Sequence, residues 1–350
     1  VSSQVDSTPR IITVTVYRME QNWSTIVLMK TSELPQDWDE RLVKVDGSIL
    51  QSRPWAQFQG SLKRKAVWDE GDGWQWLAFV RESHGLKYLM CSYGPTAKSQ
   101  EEYTKALDSL IGAAKELKVD FIRIEPRFGI DSDTLQALGG YKIREVQPEN
   151  TQIVDLNKPL DELRSDLSSG HRNSINGVER RGIAINKTSD NEDFNEFLKM
   201  LKDTARNSRV KFFPPSYYQA VWNTLGQSGN AVMYLAKIDE KPIAAALFYD
   251  YGHTRYYAHA GAWQLLNRKL NASAPLVWQG LIDAKEDGKT HFDLWGIAPE
   301  GVPNHPWAGI TSFKQSFGGE RVKYGGTWDI PVNKPKYKLY RMYRRLRRIG

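Results

Sequence analysis

The sequence predicts two similar α/β (α+β) domains in tandem, and three observations support this prediction. The chain has 350 residues, which is more than one hydrophobic core usually serves. Its 40% hydrophobic and 25% charged residues are typical of a globular protein. The same order of elements, namely strands, a loop, a helix and a further strand, occurs twice along the chain.

The first repeat begins after a leader of residues 1–35, to which no structure is assigned. Alternating apolar residues predict two strands, and apolar residues at helical spacing predict the helix that follows them. That helix leads into a short strand closed by Glu125-Pro126. The predicted elements are Trp74–Val80, Lys87–Cys91, Gln100–Lys118 and Phe121–Ile124.

The second repeat shows the same order about 170 residues later, where Ile122-Arg123-Ile124 is matched by Phe292-Asp293-Leu294. Two helices, Leu160–Arg181 and Asp193–Arg206, are predicted to precede it. The elements predicted within the repeat are Ala231–Ile238, Pro242–Tyr249, Arg255–Gly261, Pro275–Glu286 and His291–Leu294. We therefore predict domain one at residues 36–155 plus 331–350, and domain two at residues 156–330.

The net charge of +7 is concentrated at the end of the chain. Residues 334–350 hold eight lysines and arginines and no acid, so the remainder is close to neutral. A stripe of Leu339, Tyr340, Tyr343 and Leu346 predicts a helix that packs on domain one and leaves its arginines exposed. Nucleic acid and an anionic membrane surface are both eligible partners for such arginines, and a solvated helix face is the alternative.

Several classes of protein are disfavoured. Cys91 is alone, so an intramolecular disulfide is impossible, and it is interpreted as a buried structural residue. The six histidines are scattered and make a metal site improbable. No apolar run approaches the roughly 18 residues of a membrane helix, and no signal peptide is recognised, so a cytoplasmic location is expected.

The order of the elements also describes the acyl-CoA N-acetyltransferase (GNAT-like) fold. In that fold a glycine-rich loop before a helix offers backbone N–H groups to a pyrophosphate. The corresponding loop, residues 263–273, contains no glycine, which disfavours an acyl-CoA donor. Phosphate-binding loops, dinucleotide glycine patterns and nucleophile elbows are also missing, and no cofactor is expected.

The stretch Phe313–Glu320, preceded by Gly309-Ile310, resembles the FemABX family of aminoacyl-tRNA-dependent peptidyltransferases, which build the peptide cross-bridge of peptidoglycan. Further fragments occur in the same order over residues 45–330, including Tyr93-Gly94-Pro95, Arg123–Pro126 and Tyr256-Tyr257. The resemblance implies two acetyltransferase-like domains, the first completed by the C-terminal segment. It also implies the shorter, FemX-like branch, because only one helix stands where some members carry a coiled-coil arm.

The implied reaction is attack by an amine of a muramyl stem peptide on the ester of an aminoacyl-tRNA. The precursor is nucleotide-linked or lipid-linked, peripheral membrane contact is allowed, and a monomer is expected. The alternative functions are a catalytically silent nucleic-acid-binding protein and an acyl-CoA-dependent N-acyltransferase. The first would bind RNA without transfer, and the second would use acetyl-CoA.

The resemblance also implies the site residues. Lys314 would stabilise the oxyanion of the ester, and its alternative is a solvated lysine. Glu125 would take a proton or bind the precursor, and its alternative is a strand-end carboxylate before proline. Asp293 holds a similar place in the second repeat, and its alternative is a cap of the following turn. The implied substrate contacts are Phe313, Tyr257, His259, Arg206, Arg209, Tyr217, Gln59 and Lys63. Arg344, Arg345, Arg347 and Arg348 are predicted to bind tRNA phosphates.

Overall fold

The computed structural model describes residues 33–127, 132–207, 212–302 and 304–349, without the side chains of residues 268 and 347–349. The predicted leader therefore lies almost wholly outside the described residues. None of the described helices is both long enough and apolar enough to cross a bilayer.

The first half of the chain contains the elements of the first predicted repeat. Helix α3 (Gln100–Glu116) is capped by Ser99, whose side chain accepts a hydrogen bond from the backbone N–H of Glu102. It buries Tyr103, Leu107 and Leu110 on one face. The elements are α1 (Trp38–Lys44), α2 (Arg53–Ser61), β1 (Ala66–Gly71), β2 (Trp74–Ser83), β3 (Leu86–Cys91), β4 (Thr96–Ala97), α3 (Gln100–Glu116), β5 (Phe121–Ile124), α4 (Ser132–Ala137) and β6 (Tyr141–Lys142).

The second half follows the predicted order with additional short elements. They are β7 (Asn150–Asp155), α5 (Leu160–Asp166), α6 (Ser169–Asn176), β8 (Ala184–Thr188), α7 (Asn191–Asn207), α8 (Pro215–Val221), β9 (Ala231–Ile238), β10 (Lys241–Tyr251), β11 (Thr254–Ala262), α9 (Gln264–Leu270), α10 (Ser273–Glu286), β12 (His291–Gly296), α11 (Ala308–Gln315), β13 (Glu320–Lys323), β14 (Trp328–Pro331) and α12 (Lys334–Ile349).

The described residues form two seven-stranded sheets. The first has the order β1-β2-β3-β5-β14-β6 with β4 beside β2, and the second has the order β13-β7-β12-β11-β10-β9-β8. Each contains one parallel pair among antiparallel neighbours, β3 with β5 and β11 with β12. The parallel pairs occupy equivalent places in the two predicted repeats, as a duplication requires.

Two strands cross the predicted domain boundaries. Strand β7 was assigned to domain one but pairs with β12 and β13 in the second sheet. Strand β14 was assigned mostly to domain two but pairs with β5 and β6 in the first sheet. Strand pairing between distant segments leaves no local signal in the sequence, which explains the difference. We now propose boundaries near residues 148 and 325.

Helices α1 and α2, with the turn between them, connect the two sheets. Gln51 donates to the backbone oxygen of Leu77 at 2.9 Å in the first sheet. Asp39 accepts a hydrogen bond from Tyr251 at 2.8 Å in the second sheet, and Trp55 packs edge-on against Tyr249. These contacts hold the two sheets together.

Two predictions about local structure are wrong. The single helix predicted at Leu160–Arg181 is divided into α5 and α6, because Leu167 is extended and Ser168 caps the N-terminus of α6. Serine at this position competes for backbone N–H groups and so favours a new helix start over continuation. The loop predicted at residues 263–273 holds helix α9 instead.

The tail helix α12 docks on the first sheet through only part of the predicted stripe, because Tyr340 stacks on Phe121 and Tyr343 packs against His84. Tyr337 is 2% exposed and donates to Asp329 at 2.8 Å, while Lys336 pairs with Asp120 at 2.9 Å. In contrast, Leu339 and Leu346 are 66% and 70% exposed. The helix is therefore rotated about its axis relative to the predicted orientation. The sheet surface offers aromatic rings and carboxylates, and these bind tyrosines and Lys336 better than leucines.

Candidate active site

A cavity of about 540 Å³ lies where two strands of the second sheet separate. Strands β11 and β12 pair in parallel over only three residues each, Thr254–Tyr256 with His291–Asp293. Beyond that point Trp295 adopts a left-handed backbone conformation with φ of 62°, and its N–H donates to the Asp293 carboxylate at 2.7 Å. The bend opens a gap that residues 257–260 and 295–296 line.

Lys314 reaches this cavity from helix α11 and is 5% exposed. Its Nζ donates to the backbone oxygen of Gly296 at 2.8 Å and lies 5.9 Å from the ring centre of Tyr257. Burial lowers the pKa of Lys314 to about 7, and Asp293 opposes that shift. The Lys314 side chain is therefore only partly protonated near neutral pH. One of its hydrogens is held by the backbone oxygen of Gly296.

The remaining wall is largely aromatic. Tyr257 and His259 both line the cavity, as the resemblance implies, together with Trp295 and Trp307. His259 Nε2 lies 3.1 Å from the hydroxyl of Tyr249, and burial lowers the pKa of His259 to about 4. His259 is thus neutral at physiological pH, so it does not add a second positive charge to the cavity wall that it shares with Lys314.

Tyr218 belongs to the cavity wall and is absent from the predicted set. Its hydroxyl accepts from the N–H of Phe213 at 3.3 Å. Its neighbour Tyr217, which was predicted, stacks on Phe213 and packs against Phe58 instead. The pair Tyr217-Tyr218 was visible in the sequence, but only the direction of helix α8 decides which ring faces the cavity.

Asp293 is not on the wall of the Lys314 cavity but lines a second cavity of about 560 Å³ together with Arg127 and Tyr324. The carboxylate accepts hydrogen bonds from Thr151 and from the Trp295 N–H. Burial raises its pKa. Asp293 therefore acts on Lys314 through its charge and through the bend at Trp295.

Glu125 is on the wall of neither cavity. One oxygen accepts from the Gln147 N–H at 2.7 Å and from Thr327 at 2.9 Å. The other is buried without a hydrogen-bond partner, and burial raises the pKa of Glu125 to about 7. Glu125 thus holds Gln147 in place next to Pro148, and Pro148 lines the Lys314 cavity. This geometry favours a positioning role for Glu125 over proton transfer at the reacting atoms.

Other predicted substrate contacts lie away from the Lys314 cavity. Phe313 packs against His171 and Phe317 in the second core. Gln59 is buried and its side-chain oxygen accepts a hydrogen bond from Arg64. Lys63 and Arg206 are exposed. Arg209 lies outside the described residues. A motif in the sequence does not show which way each side chain points, and this limits such predictions.

The predicted tRNA-binding arginines lie on α12. Arg344 and Arg345 line a groove of about 210 Å³ between α12 and β6, with Lys142 and Arg144 on its other side. Arg344 also lies 5.8 Å from the ring centre of Tyr340. The side chains of Arg347 and Arg348 are outside the described part.

The model of the FemAB family matches residues 135–241 and 239–345. The chain belongs to the FemAB family. A relative from Staphylococcus aureus (strain USA300), named lipid II:glycine glycyltransferase, is 26% identical in an alignment of 272 positions that covers 71% of this chain. The match covers 64% of that relative, so the chain spans somewhat less than two thirds of its length.

Two solved structures show the same fold. The crystal structure of FemX has a TM-score of 0.74 at 19% identity and covers 87% of this chain and 97% of that one. A tandem GNAT protein from the clavulanic acid biosynthesis pathway has a TM-score of 0.50 at 9% identity, with coverage of 86% and 96%. The resemblance to the FemAB family and the tandem acetyltransferase-like fold are both confirmed.

Proposed function

We propose that this chain transfers an amino acid from an aminoacyl-tRNA to an amine on the stem peptide of a muramyl pentapeptide precursor. The observation that carries the proposal is the buried Lys314 on the wall of the aromatic cavity between β11 and β12. The name of the Staphylococcus aureus relative supports glycine and a lipid-linked precursor as substrates to test first.

The reaction forms a C–N bond and breaks a C–O bond. The neutral amine attacks the ester carbonyl carbon and the tetrahedral intermediate collapses with loss of the C–O bond to the tRNA 3′-terminal ribose. The proton that the amine loses passes to the ribose oxygen, so the products are the amide and a free tRNA hydroxyl. The Lys314 hydrogens that Gly296 does not hold can donate to the oxyanion. Aromatic walls limit water and strengthen that interaction. An activated ester and a good nucleophile need little more than this positioning.

The test is incubation with a set of charged tRNAs and either nucleotide-linked or lipid-linked muramyl pentapeptide, followed by mass spectrometry. We expect the precursor to gain the mass of one or more amino-acid residues, with no gain from uncharged tRNA. RNA binding without any transfer would instead favour a catalytically silent nucleic-acid-binding protein.

Arg344, Arg345, Arg347 and Arg348 stay our proposed tRNA contacts. The groove that Arg344 and Arg345 share with Lys142 and Arg144 supports this, since clustered cations of this kind neutralise phosphates.

Acetyl-CoA should neither bind with micromolar affinity nor serve as donor. In the second domain the segment that would hold the pyrophosphate folds as α9 and contains no glycine, so it does not provide a loop of free N–H groups. Titration calorimetry with acetyl-CoA measures this directly. Micromolar binding would contradict the proposed donor and favour an acyl-CoA-dependent acyltransferase.

A further inference from the structure

The tail helix α12 carries an apolar face that points away from the protein. Leu339, Met342 and Leu346 are 66%, 52% and 70% exposed. They are spaced three and four residues apart, so they share one face. We call these three residues the outer leucine face; the neighbouring Tyr343 packs against His84 instead, with ring centres 5.9 Å apart. The opposite side of the helix is the docked side, with Tyr337 buried and Tyr340 stacked on Phe121.

The outer leucine face belongs to a strongly cationic helix. Residues 334–349 include eight lysines and arginines and no acid. Lys338 and Arg345 are exposed beside the face, while Arg341 lies 3.7 Å from the ring centre of Tyr141 on the docked side. Exposed leucines in water are unfavourable, and several together mark a surface that meets a partner.

The charge and apolar character of the outer leucine face distinguish among three candidate partners. RNA phosphates would engage the cations but offer nothing to Leu339, Met342 and Leu346. A second copy of this chain would bring two helices of the same high charge together. An anionic bilayer satisfies both features, since its headgroups attract the lysines and arginines while its acyl chains accept the leucines.

We propose that the outer leucine face binds the surface of an anionic lipid bilayer, with α12 lying in the interface. The leucines and methionine enter the boundary between headgroups and acyl chains, and the exposed Lys338 contacts the headgroups. Arg344 and Arg345 stay in the groove against β6 that is proposed for tRNA. This assignment rests only on the exposed apolar residues and the positive charge of α12, and not on the proposed function. It also deepens the proposed function, because it would bring the chain to the surface where a lipid-linked precursor lies.

The test uses flotation of the full chain with phosphatidylglycerol-containing vesicles and with phosphatidylcholine vesicles. We expect binding to the anionic vesicles that falls as salt rises. The variant Leu339→Ser/Met342→Ser/Leu346→Ser should bind them at least about tenfold more weakly. The control Leu265→Ser/Leu266→Ser changes two exposed leucines on α9, a helix that also carries basic residues, and should bind like the unchanged protein.

Three outcomes would overturn the proposal. Vesicle binding that the triple variant retains would place the contact elsewhere. A dimer by light scattering that the triple variant loses would show that the face joins two copies. Loss of tRNA affinity in the triple variant, without vesicle binding by the unchanged protein, would assign the face to RNA.

The transfer assay separates this proposal from the proposed function. The triple variant should keep transfer to a soluble nucleotide-linked precursor, if that precursor is accepted, and lose transfer to a precursor embedded in vesicles. Vesicle binding without any transfer would contradict the proposed function alone.

Discussion

Replacing Lys314 by methionine should lower kcat for amino-acid transfer by about a hundredfold or more, with little change in affinity for the muramyl precursor. Lys314 is buried, and Gly296 holds its Nζ at 2.8 Å, so its remaining hydrogens are available to charge that develops in the transition state. Single-turnover transfer and precursor binding by calorimetry measure the two quantities separately.

Lys105→Met is the matched control, because Lys105 is a 57% exposed lysine on α3 and its loss should leave transfer unchanged. A Lys314 variant that loses precursor affinity in proportion to its rate would make Lys314 a binding residue. The variant should also keep its melting temperature within a few degrees, which shows that lost activity is not lost folding.

The pH profile should distinguish a charged Lys314 from a neutral one. Its pKa of about 7 means that the ammonium predominates below pH 7 and the amine above it. If the ammonium stabilises the oxyanion, kcat/KM carries a limb that declines as pH rises through about 7, and the residual activity of Lys314→Met lacks that limb. A limb that rises with pH through the same value would instead indicate a general base.

Replacing Asp329 by alanine should lower the free energy of unfolding by about 3–5 kcal/mol. Asp329 is fully buried, accepts from Arg123 at 2.7 and 2.9 Å, and accepts from Tyr337 at 2.8 Å. Its removal leaves the guanidinium of Arg123 buried without its carboxylate partner. Denaturant unfolding followed by tryptophan fluorescence measures the loss.

Two variants sharpen this test. Asp161→Ala removes an exposed aspartate from α5 and should change stability by less than about 0.5 kcal/mol. Arg123→Met/Asp329→Leu removes both charges and should recover part of the loss, because the cost of a buried ion pair lies mainly in leaving one partner alone. A loss below about 1 kcal/mol for Asp329→Ala alone would contradict the assigned role.

The elements of the two repeats could be predicted because their signals are local. Strands β5 and β9 begin and end at the predicted residues, and α10 begins two residues before its predicted start. Alternation along a strand and apolar spacing along a helix depend only on neighbouring residues. Short elements such as β6, β13 and β14 were missed because two to four residues show no period. The equally short β5 could be predicted because it follows a predicted helix and is closed by Glu125-Pro126.

The candidate site could be predicted only in part. The resemblance to the FemABX family pointed to Lys314, Tyr257 and His259, which the structure brings to one cavity. It did not show that Phe313, one residue before Lys314, turns into the second core. Successive residues of a helix point about 100° apart, so the packing of α11 separates the two.

The family, the tandem fold and the lysine of the cavity are thus all present in the linear order of residues, because motifs and periodicity are properties of neighbours in the chain. The sheet to which β7 and β14 belong, the gap between β11 and β12, and the side on which α12 docks depend on partners far away in sequence. Asp329, for example, lies more than 200 residues from Arg123. Such contacts form only when the chain folds, and they decide that Tyr218 lines the cavity and that Leu339 and Leu346 face outward.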